Sequence, residues 1–309
     1  MNDATLSQIS DHVYWMPPAK PDRPSLCAVA GTNHTLMLDA GASDAHARQF
    51  LNQLTEKGIP SPAYVALTHW HWDHVFGAAE IGAPVVAQSL TAGKLAHLAM
   101  RDWSDAGLEH HIALGEQTAG GAEHIKAELP SPRAVRIAQP GILFHDLLEL
   151  RLGAVTCRIV HVGGDHAPDS SVMFLLPDRV LFLGDCLYEA VYAPKRHYTA
   201  RLLLPLLDML QAFDGAWFVG GHEPAVATRA EFDEQIAKMR QAAMLVETVG
   251  VDEEKIFAAM EAKTGKRPDE DTADLLRALI AGLPSQAARM HEGPSSPLTP
   301  RFIGVAPLT

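Results

Sequence analysis

The sequence predicts an α/β domain followed by a helical C-terminal extension, and two observations support this division. In residues 1–245, short apolar runs bounded by Pro, Gly or Asp alternate with segments of helical period. From residue 229 onward the apolar residues recur at helical spacing, up to a Pro- and Ser-rich tail that begins at Gly282. We therefore place the main domain at 1–245 and the extension at 246–309, and we expect the tail to be extended.

The strands of the main domain are predicted from runs of apolar and β-branched residues. Their sequences are VYWM, SLCAVAG, HTLMLDAG, AYVALTH and PVVAQ in the first half, then LLELRLGAVTCRIVHV, SSVMFLLP, RVLFLGD and AWFVGGH. A helix is predicted over 43–57, because Ser43 can cap its start and Gly58 follows its end. A second helix is predicted over 199–213, with an interruption at Pro205.

Residues 89–140 have the least regular pattern in the chain. Residues 89–100 are typical of a helix, whereas residues 115–133 contain Gly and Pro breaks and are predicted to be irregular. An excursion of this kind in a compact fold often forms a lid or a pocket wall. We expect it to build the pocket together with the loop 188–198 and the C-terminal extension.

The C-terminal extension carries an apolar stripe that must be buried somewhere. Its helical part, 252–282, is too short to form a core of its own, so we expect it to dock near the pocket mouth or on a second subunit of a homo-oligomer. The apolar positions are Ile256, Phe257, Met260, Leu275, Leu276, Leu279 and Ile280, followed in the tail by Phe302, Ile303, Val305 and Leu308.

Composition narrows the possible partners. The net charge is −12, and no Lys/Arg cluster that could follow a phosphate backbone is visible, so a nucleic-acid partner is not expected. The chain shows neither a basic start followed by an apolar run nor an apolar stretch of the ~20 residues that a membrane span needs. Its three cysteines are scattered, which favours a reducing, cytoplasmic setting.

A dense polar cluster follows the predicted strand 63–69. The six residues 69–74, HWHWDH, include His69, His71, Asp73 and His74. In a tight loop, His69 and His71 can face one point while Asp73 and His74 turn toward a second point nearby. Imidazole and carboxylate ligands together suit zinc, with iron or manganese as substitutes. The cluster therefore predicts a site for two adjacent cations.

The pattern H-x-H-x-D-H after an apolar strand resembles the signature of the metallo-β-lactamase superfamily. Four further segments resemble that family's motifs, in the family's order, and the resemblance spans about residues 10 to 225. They are MLDAG (37–41) with Asp39 as a supporting residue, GGDHAPDSS (163–171) with His166, LFLGDCLY (181–188) with Asp185, and FVGGHEP (218–224) with His222.

The resemblance implies a four-layer αβ/βα sandwich, in which two mixed sheets pack face to face with helices outside. It also implies a first metal ion bound by His69, His71 and His166, and a second bound by Asp73, His74 and His222. Asp185 would bridge the two ions.

Three positions near these motifs need separate consideration. The family's Thr-Pro-Gly is Ala-Pro-Asp at 167–169, which removes a hydroxyl that could order the loop but removes no ligand. Cys186 adjoins Asp185, and some family members use Cys as a ligand in this region. We favour Asp185, because residue 186 should point away from the site if residue 185 reaches it. His161 is expected to pack or to support a ligand by a hydrogen bond.

The activity implied by the resemblance is hydrolysis, with a hydroxide held between two metal ions as the nucleophile and Asp73 as a catalytic proton carrier. A small carboxylic ester, lactone or thioester is the favoured substrate class. The alternatives are a thioesterase of the glyoxalase II kind, a β-lactamase and a sulfur dioxygenase with one iron ion. The candidate substrate-binding residues lie in the loop 188–198 and are Tyr188, Tyr192, Lys195 and His197.

Overall fold

The structure is a computed structural model that describes residues 4–291. Its strands form two mixed sheets. The first has the order β1 (Ser7–Gln8), β2 (Val13–Met16), β3 (Leu26–Ala30), β4 (Thr35–Leu38), β5 (Tyr64–Ala66), β6 (Val85–Gln88) and β7 (Ile142–Phe144). Strands β1 to β4 are antiparallel, and β4 to β7 are parallel.

The second sheet is antiparallel except for one parallel pair, β11 with β12. Its strands are β8 (Leu147–Arg151), β9 (Thr156–His161), β10 (Ser171–Leu176), β11 (Val180–Gly184), β12 (Trp217–Gly220) and β13 (Ala227–Thr228), in the spatial order β13-β12-β11-β10-β9-β8. Because β9 and β11 are both antiparallel to β10, the carboxyl ends of β9, β11 and β12 lie at one edge.

Ten helices lie in the described part of the chain. They are α1 (Asp44–Glu56), α2 (Trp72–Val75), α3 (Ala78–Ile81), α4 (Ser89–Leu98), α5 (Asp105–Ala113), α6 (Ala119–Glu128), α7 (Ala200–Gln211), α8 (Arg229–Val249), α9 (Glu253–Thr264) and α10 (Glu270–His291). None of these helices combines the length and apolar character that a membrane span requires.

Three apolar cores hold the layers together. The central core lies between the sheets, where residues such as Val29 and Leu36 of the first sheet meet Met173 and Phe182 of the second. A second core covers the outer face of the first sheet with α1, α4, α5 and α6. A third core covers the second sheet with α7 to α10. The predicted four-layer αβ/βα sandwich is confirmed.

Two predictions of irregular structure are wrong. The segment 115–133 contains α6, which begins because the Thr118 hydroxyl accepts a hydrogen bond from the Gly121 N–H and which buries Ala122 and Ile125. Chain extension from Gly282 is also wrong, because α10 continues to His291. Gly282 allows α10 to pack closely against the chain at Tyr198, because a β-carbon there would stand 2.0 Å from the Tyr198 carbonyl oxygen. The rest of the predicted tail, including Phe302, lies outside the described residues.

The helices of the C-terminal half also differ in detail from the expectation. Helix α7 runs through Pro205 without interruption. The predicted boundary at 245 falls inside α8, and the division into a main domain and an extension stays a prediction. Helices α9 and α10 pack on α8, and α10 also contacts α7, so that Ile256, Leu276 and Leu279 are fully buried.

Candidate metal centre

The first half of the candidate site is built where the parallel strands β4 and β5 end. Asp39 follows β4 in a left-handed conformation (φ 57°), and the Thr68 loop follows β5. Asp39 accepts hydrogen bonds from the Thr68 N–H at 2.7 Å and from the Thr68 hydroxyl, and it lies 2.7 Å from His74 Nδ1. The carboxylate thus fixes both the loop that carries His69 and His71 and the short helix α2 that carries Asp73 and His74.

The second half is built by the three loops at the carboxyl ends of β9, β11 and β12. These loops carry His166, Asp185 and His222, respectively. Since the two sheets pack face to face, the loops of the second sheet meet the THWHWDH loop of the first. The structure therefore brings together all seven side chains that the sequence predicts as metal ligands.

The seven side chains form two adjoining groups. The first group consists of His69, His71 and His166, and the second of Asp73, His74, Asp185 and His222. Within each group the candidate ligand atoms lie within 4.8 Å of one another. Asp185 stands between them, because its Oδ2 lies 3.4 Å from His166 Nε2, 3.3 Å from His74 Nε2 and 3.5 Å from His222 Nε2. The geometry expected for two neighbouring cations is present.

Unsatisfied polar atoms show that these groups suit metal ions. His71 Nε2 and Asp185 Oδ1 are buried and have no hydrogen-bond partner. Buried polar atoms are nearly always paired, so two such atoms, one in each group, indicate that a further partner belongs there. Imidazole nitrogens and carboxylate oxygens are ligands for zinc and related divalent cations. The two groups can therefore hold divalent metal ions.

Burial and charge set the protonation states of the two groups. Burial lowers the pKa of His69 and His71, so both rings are neutral, which is the form that binds a metal ion. Burial alone would raise the pKa of Asp73 and Asp185, but the nearby His74 and His222 hold both values well below the usual range. Against the effect of burial, Asp185 and Asp73 raise the pKa of His222 to about 10. Because the pKa of His74 is also raised, these directions favour protonated histidines paired with carboxylates in the second group, so that binding of a cation there would release protons.

Two of the four candidate substrate-binding residues, Tyr188 and Tyr192, border the site. The Tyr192 ring stacks on Trp70 at 5.1 Å and meets the edge of His71 at 5.0 Å. The Tyr188 ring lies 6.0 Å from His166, and its hydroxyl donates a hydrogen bond to Glu223 at 2.8 Å. These two rings therefore form an aromatic wall beside both metal groups.

The other two candidate substrate-binding residues lie elsewhere. Lys195 has an exposed side chain. His197 is buried, lies 3.0 Å from the Lys195 carbonyl oxygen through its Nδ1, and packs beside Gly282 of α10. The structure does not bring either side chain to the two metal groups.

Cys186 belongs to the apolar core outside the second sheet, with residues of α7 such as Leu206. Its side chain is buried, and burial and the nearby Asp185 raise the pKa of its thiol. A protonated, apolar-packed thiol is a poor metal ligand.

Two side-chain contacts hold the loop of His166. The Thr91 hydroxyl of α4 donates a hydrogen bond to Asp169 at 2.7 Å, and His161 Nε2 lies 2.8 Å from the Pro168 carbonyl oxygen. Sequence reasoning weighed support of the site by His161 but did not foresee the link between Asp169 and α4. Asp22, which stands 3.8 Å from His222 and 2.9 Å from His124, was missed as well. No motif marks Asp22, and it is separated from His124 by about a hundred positions.

Comparison with solved structures supports the fold. The structure is similar to a metallo-beta-lactamase from Pontibacter korlensis (19% identity, 76% of this chain and 97% of that chain covered, TM-score 0.53). It is also similar to the class B3 di-zinc metallo-beta-lactamase LRA-12 from an Alaskan soil metagenome (15%, 77% and 92%, TM-score 0.54). A third similar structure is the stereoselective inverting sec-alkylsulfatase Pisa1 from Pseudomonas sp. (15%, 92% and 52%, TM-score 0.63).

Comparison of sequences identifies the family. No curated protein matches the sequence. The family profile described as the metallo-beta-lactamase superfamily matches residues 21–222, a span that contains every candidate ligand. The chain therefore belongs to the metallo-beta-lactamase superfamily and is a hydrolase of that superfamily.

Proposed function

We propose that this chain is a dinuclear, zinc-dependent hydrolase that cleaves a small carboxylic ester, lactone or thioester. The observation that carries the proposal is the position of Asp185, whose Oδ2 lies 3.4 Å from His166 Nε2 in one group and 3.5 Å from His222 Nε2 in the other. The first ion would be held by His69, His71 and His166, the second by Asp73, His74 and His222, and Asp185 would serve both.

Zinc is favoured because five imidazoles and two carboxylates make up the donor set. The similar structure from the Alaskan soil metagenome is described as a di-zinc enzyme, which supports the same choice here. Iron or manganese would suit these ligands as well. The three cysteines of the chain are buried, unpaired thiols, and this supports the cytoplasm as the proposed compartment.

The protein residues would orient the reactants and carry protons. When bound, a pair of divalent ions supplies an activated water molecule near neutral pH and polarises the substrate oxygen. Asp73 is the proposed proton carrier, since its Oδ2 stands 3.1 Å from His222 Nε2 and 3.2 Å from His74 Nε2. Asp39 and Thr68 keep the ligand loop in place, and the rings of Trp70 and Tyr192 exclude water on the side of His71.

The charges around the site favour a neutral carbonyl substrate over a phosphate or sulfate ester. Asp22 and Glu223 place two carboxylates at its outer edge. Of the cations near its aromatic wall, Arg101 is neutralised by Glu116 at 3.2 Å, and the Lys94 ammonium lies over the Trp70 ring, 5.0 Å from its centre. An anionic substrate would therefore meet the two carboxylates at the outer edge with one cation that makes no ion pair among the described residues, Lys94, on the side of Trp70.

A substrate panel, read together with the metal content, tests the proposal. The full chain, purified without chelator, should contain about two zinc ions, as expected for a two-metal site. Its kcat/KM should be highest on neutral aryl esters, lactones or simple acyl thioesters, and lower on S-acyl glutathione, a chromogenic β-lactam, a secondary alkyl sulfate and a phosphodiester. A preference for the sulfate or the phosphodiester would reject the substrate class, and a folded, active, metal-free chain would reject the metal centre.

A further inference from the structure

The outer side of His222 faces a carboxylate that no sequence motif marks. His222 is the most exposed of the proposed ligands, with 26% of its side chain accessible. Its Nε2 faces Asp73 and Asp185 at 3.1 and 3.5 Å, whereas its Nδ1 faces Asp22 Oδ1 at 3.8 Å. Asp22 therefore stands on the side of the ring that is turned away from the metal groups.

Other imidazoles of the centre also have an oxygen behind them, at the shorter distance of a hydrogen bond. His74 Nδ1 lies 2.7 Å from an oxygen of Asp39, and His166 Nδ1 lies 3.1 Å from the Glu189 carbonyl oxygen. A metal-binding histidine usually donates its second ring N–H to such an acceptor, which fixes the orientation of the ring and strengthens its ligand nitrogen. Asp22 places a carboxylate on the same side of His222, at ion-pair distance, and His222 is the ligand whose ring is least restrained by packing.

The chain segment 22–25 is fixed to the loop of His222. Ser25 donates hydrogen bonds from its N–H to the Gly221 carbonyl and from its hydroxyl to the Gly220 carbonyl, each at 2.6 Å. These glycines directly precede His222. The position of Asp22 relative to the ring therefore depends on a short, hydrogen-bonded path rather than on a free loop.

The same segment is also fixed to helix α6. Arg23 Nε donates to both carboxylate oxygens of Glu128 at 3.0 and 2.9 Å, and this pair is largely buried. One turn earlier, His124 Nδ1 lies 2.9 Å from Asp22 Oδ2. Two neighbouring residues of the segment thus hold two positions of α6 that lie four residues apart on one helix face.

We propose that Asp22, held in place by His124, is the positioning residue of His222 and so sets the affinity of the second metal group. The inference rests on the proposed two-metal function. Asp22 makes ion-pair contacts with His124 and His222, and His222 belongs to the second group, so we expect its effect on that group. Helix α6, part of the segment 89–140, thereby becomes coupled to the metal centre.

Zinc titration of the chelator-stripped full chain, monitored by competition with a chromophoric chelator, tests the inference without using activity. Wild-type protein should bind zinc in two steps. In Asp22→Asn the weaker, second step should lose about 10–100-fold in affinity, while the first step changes by less than about twofold. His124→Ala should weaken the same step, and His124→Asn, whose amide can donate from the place of Nδ1, should restore it.

Asp178→Asn is the matched control. Asp178 pairs with His12 at 2.9 Å, the same contact that Asp22 makes with His124, but its partner lies in the N-terminal segment and is not a proposed ligand. Both binding steps should be unchanged in this control. Unaltered zinc binding by Asp22→Asn, or equal weakening of both steps, would overturn the inference while the metal centre stands. Fewer than two zinc ions on the wild-type chain would reject the proposed function, and the inference with it.

Discussion

Gly221 and Asp185 are in such close contact that a β-carbon on Gly221 would stand 1.9 Å from Asp185 Oδ1. The same β-carbon would lie 3.2 Å from His74 Cε1. Gly221 therefore leaves the space that the Asp185 carboxylate occupies between the two groups. We expect Gly221→Ala to displace this carboxylate and to lower zinc affinity at least about tenfold, measured by chelator competition.

Gly120→Ala is the control for this substitution, since a β-carbon at Gly120 would meet nothing within 4 Å. Gly120 lies within helix α6, where Ala is the better helix former, so stability should be kept or slightly raised. Equal zinc affinity of Gly221→Ala and Gly120→Ala would show that the room around Asp185 is not needed.

Asp185 and Cys186 are neighbours in sequence but lie in different surroundings. Asp185 adjoins both metal groups, whereas Cys186 packs in the apolar core with α7. Asp185→Ala should therefore lose bound metal and activity, and Cys186→Ala should keep both while losing about 1 kcal/mol of stability. Metal content by atomic emission and unfolding by urea measure the two effects. The reverse pattern would make Cys186 the ligand.

Asp73 is expected to carry protons in addition to binding the second ion. Asp73→Ala removes a ligand and the proposed proton carrier together. General acid–base assistance is typically worth about 10²–10⁴-fold. The kcat should therefore fall at least about 10²-fold, with a much smaller change in KM. Steady-state kinetics with excess zinc measures both constants. Near-normal kcat with two ions bound would show that Asp73 is not the proton carrier.

Asp169 is predicted to hold the loop that carries His166. The Thr91 hydroxyl donates to its buried carboxylate, so Asp169→Ala leaves that hydroxyl without a partner and should cost about 1–3 kcal/mol of stability. Asp169→Asn keeps an acceptor for the Thr91 hydroxyl and should retain most of the stability of the wild type. Urea unfolding of the two variants compares them. A stability as high in Asp169→Ala as in Asp169→Asn would mean that the hydrogen bond to α4 contributes nothing.

The convergence of the seven candidate ligands was predictable because they occur in short motifs at the ends of strongly apolar strands. His69 to His74 form one dense cluster, and the strands before His166, Asp185 and His222 are recognisable from their β-branched and apolar residues. The face-to-face packing that joins these motifs came from the family resemblance, since periodicity alone does not specify which sheet edges meet.

The errors lie where tertiary contacts decide the local structure. The glycines of α6 favour an irregular chain, but the cap at Thr118 and the burial of Ile125 stabilise a helix. Gly282 was interpreted as a helix end, although it is the point at which α10 crosses the Tyr198 carbonyl. Contacts such as Asp22 with His124 join distant segments and leave no local pattern in the sequence.

The C-terminal helices offer a last prediction that separates stability from metal binding. Leu276 of α10 is fully buried in the core formed with α7 and α8, whereas its neighbour Leu275 is only partly buried at the edge of that core. Leu276→Ala should therefore cost about 2–5 kcal/mol of stability, because it removes transfer free energy and leaves a cavity. Leu275→Ala, the same change on the same helix, should cost clearly less.

Both variants should bind zinc like the wild type, since every proposed ligand precedes residue 223. Urea unfolding, zinc titration and size-exclusion chromatography of both variants test this, and the last also reports whether the extension supports a homo-oligomer. Equal costs at the two positions would show that α10 does not pack through Leu276, and loss of zinc binding in a folded Leu276→Ala chain would show that the extension is part of the metal centre.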